Sequence, residues 1–412
     1  MRTKPSSYLT TAILAVFALA TVLVRGAGAT STTKVIYSFA GDEEGEYPDT
    51  ELVRDGAGNL YGSSVLGGDF GSGTVFQLAP DGSHTVLYSF TGGVDGAEAY
   101  GGVTLDADGN LYGATVAGGT GQSCEGGCGV VYKLTNNGGT WTQTVLHDFT
   151  GADDGSGPGS APSIDRAGNL YGMTPTGGAF AAGTIYRLHP RQDGTWQFSV
   201  VHAFTSGDDG LGGSKGRMIF DRQGHIFGAS TAGGANGSGT IFQLRRSRTG
   251  WELKVLYAFQ GQPDAGFPYG SLLFDESGNL FGTSYYGGAN GLGAVYEVSP
   301  RPGGAWREKV LYSFQGQPDG ANAISGLVFG PNGEMYGTTS EGGASGCDCG
   351  TVFKIAQGQN GTWTESVVYA FTGTPDGRYP YDGMVADGAG NYYGTTVGGG
   401  DADDGAIYQF TP

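Results

Sequence analysis

From residue 34 onward, short apolar runs of five or six residues alternate with glycine-rich polar segments, and the alternation recurs at long range. Each copy centres on a glycine, a polar residue and then a hydrophobic-aromatic-glycine run. The first is Gly58-Asn59-Leu60-Tyr61-Gly62, and the others begin at Gly109, Gly168, Gly224, Gly278, Gly333 and Gly390. The starts lie 51, 59, 56, 54, 55 and 57 residues apart. A period of this length is too long for a leucine-rich or hexapeptide solenoid and fits a four-stranded propeller blade. In the fifth copy the predicted strands are Gly270–Asp275, Asn279–Ser284, Ala294–Val298 and Lys309–Phe314, with turns at Glu276-Ser277-Gly278 and in the Gly287–Gly291 loop. No stretch of eleven or more residues after residue 30 carries helical periodicity, so the expected class is all-β.

The order of strands at the two ends predicts how the molecule closes. The repeat region opens on Lys34–Phe39, a fourth strand without its first three, and ends on Ala406–Phe410, a third strand without its fourth. Pairing these two completes a seventh blade and removes both open edges, which predicts a seven-bladed β-propeller closed by its N-terminal strand. Trp141, Trp196, Trp251, Trp306 and Trp363 each stand four residues before the first Val of a fourth strand. Recurrence in five blades reads as a structural cover over the hairpin of strands three and four, with sugar stacking as the functional alternative.

The Asp-x-x-Gly-Asn-[Leu/Tyr]-[Tyr/Phe]-Gly core and the Gly-[Thr/Ala]-[Val/Ile]-[Tyr/Phe] strand resemble those of bacterial GloVer-type tandem-repeat proteins, over the whole repeat region. That resemblance implies an exported or surface-attached repeat protein. More loosely, the unit is similar to NHL-repeat and gluconolactonase-like propellers, a likeness of fold that does not carry chemistry.

Residues 1–29 read as a cleaved signal peptide: Arg2 and Lys4, an apolar Leu9–Val24 run, and the small-x-small Ala27-Gly28-Ala29. The remainder, 30–412, reads as one domain destined for a secreted, periplasmic or cell-surface place in a bacterium. Loss of residues 1–29 leaves 18 bases against 39 acids, a net charge of −21, which repels nucleic acid and anionic membranes. Gly and Pro together number 98 of 412 residues, short of a low-complexity chain because aromatics at 12% supply a core. Four cysteines form two tight pairs, Cys124 with Cys128 and Cys347 with Cys349. In an exported chain these read as disulfide loop clips. Zinc is the competing reading, though no His stands at ligand spacing beside them.

Candidate chemistry comes from departures within the repeat. The turn Asp (Asp55, Asp106, Asp165, Asp221, Asp275, Asp387) recurs except at Gly330 and reads as an Asx-type turn. Five residues after each strand-ending Phe stands an acid: Glu44, Asp95, Asp154, Asp209, Asp264, Asp319 and Asp376. These cap loops on the face where propeller sites open, or form an acidic ring with at most weak, millimolar-range calcium binding. No other cofactor is expected. On the approach to the innermost strand most blades carry Gly, Ser or Ala, whereas Asp49, Glu51, Lys215, Arg217 and Asp382 depart from that rule, accompanied by Tyr100, Tyr269 and Tyr381. These eight residues are the candidate ligand site, with the acids of blades 1 and 7 facing the bases of blade 4 across the channel.

Catalytic motifs are missing. The five His residues do not share one repeat position, His147 and His202 stand where other blades have Tyr, and no hydrolase Ser or Cys motif or phosphate loop appears. The expected function is a non-enzymatic, monomeric propeller binding an extracellular glycan, peptide or protein at its channel face. A metal-dependent hydrolase or lyase, with Asp49, Glu51 and Asp382 as ligands, and a structural envelope protein are the alternatives.

Overall fold

The computed structural model describes residues 31–213, 215–344 and 346–412; the expected signal peptide lies outside these residues. Among them the chain is all β apart from one 3-10 turn at Asp42–Glu44, and no helix is long and apolar enough to cross a membrane. Seven antiparallel sheets follow one another as blades. Blade 1 runs Val53–Arg54, Leu60–Ser64, Thr74–Leu78 and His84–Ser89, in spatial order from the axis outward. Blade 7 runs Val385–Ala386, Tyr392–Thr396 and Ala406–Thr411, and its outermost strand is Thr32–Ser38. Thr32 faces Thr411 and Ser38 faces Ala406, so the first strand seals the last blade as the strand order predicts.

Blade seams are built from the repeated aromatics. The Phe ending each fourth strand is fully buried, and its N–H donates to a glycine carbonyl before the third strand, as Phe90 does to Gly73 at 3.0 Å and Phe259 to Gly239 at 3.0 Å. Its ring then meets edge-on the third-strand Tyr or Phe of the next blade: Phe90 on Tyr132 at 5.1 Å, Phe259 on Tyr296 at 4.9 Å, and Phe39 on Phe76 across the closing seam between blades 7 and 1 at 5.2 Å. Such edge-to-face pairs favour one docking angle beyond the area they bury. A β-bulge recurs at the same point of the outer pairing in all seven blades, adding the twist each blade needs.

Two expectations are refined. The innermost strands span only two or three residues (Leu273–Phe274 rather than Gly270–Asp275) because the preceding residues turn toward the axis and press against the neighbouring blades. A Cβ on Gly270 would collide with the Ser325 carbonyl, and one on Gly216 with Gly270, so backbone packs on backbone there. The tryptophans reach beyond their own hairpins: Trp196 meets Tyr112, Trp251 meets Tyr171 and Trp306 meets Phe227, each on the preceding blade. They close seams.

Candidate functional site

The channel approach is built in tiers, one residue per blade. Asp49, Tyr100, Lys215, Tyr269 and Tyr381 share the outermost tier, Asp382 lies one residue deeper, and Glu51 and Arg217 lie one deeper again, as their spacing from the turn Asp requires. The bases of blade 4 cross to the acids of blade 1: Lys215 Nζ reaches Asp49 Oδ2 at 2.5 Å, and Arg217 Nε lies 3.2 Å from Glu51 Oε2. That second pair is an ion contact off the N–H axis, since Nε itself has no hydrogen-bond acceptor. The rest of the guanidinium is engaged, donating to Thr104 Oγ1 at 3.1 Å and to the Glu51 and Val103 carbonyls at 3.1 and 3.0 Å. Ser271 completes the tier, donating from Oγ to Glu51 Oε2 at 3.2 Å.

Lys215 lies over the rings of Tyr100 and Tyr381, at 5.6 and 5.2 Å from their centroids. Burial alone would lower its pKa, but the Asp49 and Asp382 charges outweigh that and hold it raised. Burial first, and the Asp49 charge second, push Asp382 well above the usual carboxylate range. Asp49 Oδ1 and Asp382 Oδ2 are both buried without a hydrogen-bond partner. The channel therefore carries a polar plug bridging blades 1, 2, 4, 5 and 7.

Two cavities flank this plug. On the loop face, about 260 Å³ is enclosed by Tyr269, Tyr285, Tyr381, Lys215, Glu341 and Ser340. On the other side, about 420 Å³ has Glu51 and Arg217 as its polar end and Ile164, Phe220 and Leu273 among its apolar walls. Tyr285 and Glu341 were not singled out from sequence. Tyr285 stands where other blades carry Val65, Val116 or Pro175, so a comparison of that position across copies would have exposed it; Glu341 stands one position further on in blade 6.

The seven loop acids do not converge. Each is held within its own blade by the aromatic of the strand before it: Tyr37 donates to Glu44 at 2.6 Å, Tyr88 to Asp95 at 2.9 Å, Tyr257 to Asp264 at 2.8 Å, Tyr312 to Asp319 at 2.9 Å and Tyr369 to Asp376 at 2.8 Å. His147 and His202 do the same for Asp154 and Asp209 at 3.1 and 3.0 Å, which explains why His replaces Tyr there. Among the described residues no three His, Cys, Asp or Glu side chains gather as a metal site. Cys124–Cys128 and Cys347–Cys349 are both disulfides, each with Cα atoms 5.2 Å apart. The turn aspartates are Asx turns: Asp106 accepts from the Asp108 and Asn110 N–H groups and from the Asn110 amide.

The architecture is that of a seven-bladed repeat propeller with a plugged channel. The chain belongs to the Gloeobacter/Verrucomicrobia repeat family, whose pattern matches residues 20–159, 120–308 and 217–412. No curated protein matches it. Among solved structures it is similar to a protein from Lactobacillus plantarum (13% identity, TM-score 0.52, 82% of this chain and 88% of that one). It is also similar to the extracellular domain of a protein named a one-component system from B. thetaiotaomicron (10% identity, TM-score 0.53, 90% and 39%). A protein named a gluconolactonase is 17% identical with TM-score 0.41, over 75% and 89%. At such identities the likeness is one of fold alone.

Proposed function

We propose that the protein is an exported, non-catalytic propeller that binds an extracellular polar ligand (glycan, peptide or protein) at the loop-face mouth of its channel. The observation carrying this is the tyrosine-edged cavity over a plug whose opposite charges are paired: it offers aromatic faces and hydroxyls, and among the described residues no metal-ligating cluster gathers. Aromatic walls with a few fixed polar groups are the usual make-up of a ligand pocket. The basic, apolar and small-residue leader together with the two disulfides supports export. An overall charge of −18 disfavours nucleic acid as the partner. Calcium is at most a weak ligand of the acidic face, because each loop acid already has its tyrosine or histidine.

The test is a ligand screen against the wild type and a Tyr269→Ala/Tyr381→Ala variant. These side chains are partly exposed, so their loss spares the core. A ligand retained by the wild type and weakened at least about tenfold in the variant, the scale of about 1.4 kcal/mol, is the expected result. Equal binding by both proteins would move the site elsewhere.

A further inference from the structure

Around the channel mouth runs a ring that the sequence does not single out. In each blade one rim residue donates its N–H to a loop carbonyl of the preceding blade: Tyr47 to Asp404, Glu98 to Ser72, Phe267 to Ser238, Asn322 to Leu292 and Tyr379 to Cys349, all between 2.8 and 3.0 Å. Gly157 and Gly212 take this place in blades 3 and 4. The five non-glycine members have φ of 55°, 58°, 58°, 58° and 59° in that order, the left-handed region that a β-carbon disfavours. Tyr47, Phe267 and Tyr379 also precede prolines, which is harder still for a bulky residue. A chain with 82 glycines has not used glycine at these five positions. Held against backbone preference, the side chains point to a use at the rim, where such strain gathers in ligand clamps.

In blades 5 to 7 the rim side chains join the mouth cavity. Phe267 meets Tyr286 at 5.6 Å, Tyr286 meets Tyr285 at 4.4 Å, and Tyr285 meets Tyr269 at 5.8 Å. Tyr379 stacks with Tyr381 at 6.2 Å and 26°. Asn322, 7% exposed, donates its amide to Glu341 Oε2 at 2.7 Å. Because a carboxylate can only accept, the amide nitrogen must face Glu341, and Asn322 Oδ1 remains a buried acceptor without a partner.

We propose that this sector of the rim is a subsite for a neutral saccharide, an inference that rests on the channel mouth being the binding site. Tyrosine and phenylalanine faces cover the apolar face of a sugar ring, and Asn322 Oδ1 with Glu341 accepts from neighbouring hydroxyls. A uronate or sulfated chain meets cations that are already paired, since Lys215 is held by Asp49 and Arg378, over the Tyr379 ring, by Asp403, while Glu341 repels anions. An extended peptide gains most from an open sheet edge, and the long open edges here are those of the outermost strands, such as His84–Ser89, on the outside of the ring. The cavity lies below the volume of about 300–1,000 Å³ usual for drug-sized ligands, which suits one terminal sugar ring with the rest of the chain along the rim.

Titration calorimetry on the full chain with neutral oligosaccharides, uronate-containing oligosaccharides and a peptide pool tests this, alongside a Phe267→Gly/Asn322→Gly/Tyr379→Gly variant. Glycine suits left-handed backbone, so the variant should melt at or above the wild-type temperature while losing at least about tenfold in neutral-saccharide affinity. Unchanged affinity in this variant, or a preference for uronates or peptides, overturns the subsite. If binding survives the rim variant but is lost in Tyr269→Ala/Tyr381→Ala, the mouth stands and the rim assignment falls. A wild type that binds no class of ligand sinks both.

Discussion

Gly330 marks the one blade in which the turn Asp is missing, and the structure shows a reciprocal exchange. Glu334, standing where other blades have Asn or His, reaches back to accept from the Asn332 N–H at 3.0 Å and from Tyr336 Oη at 3.3 Å. Its carboxylate fills the space that an Asp side chain would take, for a Cβ on Gly330 would meet Glu334 Oε1 at 2.5 Å. Glu334→Ala should therefore cost about 1 kcal/mol, while Gly330→Asp/Glu334→Asn restores the common turn and wild-type stability; paired denaturant melts check both. A Gly330→Asp change that is harmless without Glu334→Asn would refute the exchange. At this scale the sequence was legible where the period repeats, as with the turn aspartates. It was opaque where one residue compensates another through space, because a single copy carries no rule for that. Asp49, Lys215, Asp382, Glu51 and Arg217 were legible as departures from small residues, and the structure brings all five together. The rim residues Phe267, Asn322 and Tyr379 were hidden because nothing in residue type announces left-handed backbone.

Two seams carry a carboxyl that the others replace. Two residues after its Trp, blade 5 has Glu308 and blade 6 Glu365, where blade 2 has Gln143, blade 3 Phe198 and blade 4 Leu253. The position faces the preceding blade's aromatic-acid pair. Phe198 stacks on His147 at 3.6 Å, and Gln143 donates to the Asp95 carbonyl at 3.0 Å. Glu308 faces Asp264 and Glu365 faces Asp319; burial first, then the facing charge, pushes both up to about 8, with Arg307 opposing this at Glu308. One oxygen of each has no hydrogen-bond partner. A carboxyl raised in the fold keeps its proton while the unfolded chain has lost it, so these seams lose stability as pH climbs from about 4.5 to about 8. Glu308→Gln/Glu365→Gln, following the Gln143 arrangement, should raise stability at pH 8 by about 1–2 kcal/mol per seam, allowing for screening at these half-buried sites. Melts at pH 5 and pH 8 check it: the gain should be small at the lower pH. An equal gain at both would remove the titration. Strand identity was legible from the apolar alternation, yet the shortened inner strands and the seam contacts of the tryptophans were not, because both depend on the neighbouring blade.

Closure of the ring was the most legible property of the whole molecule, since it follows from the order of strands at the two ends and needs no contact to be known. Joining Thr32–Ser38 to Ala406–Thr411 fixes blades 1 and 7 side by side, and with them Asp49 beside Asp382. The bases opposite then plug the channel, and the loop face is left with a closed-bottomed mouth rather than a pore. Sugar stacking was the functional alternative for the outer tryptophans; they are committed to seams, and the aromatics of the mouth are tyrosines. A crystal structure of the protein soaked with a neutral oligosaccharide tests this most directly. Sugar density should lie among Tyr269, Tyr285, Tyr381 and Asn322 on the loop face. Density against the seam tryptophans, in the apolar cavity beyond Arg217, or nowhere on the protein would contradict it.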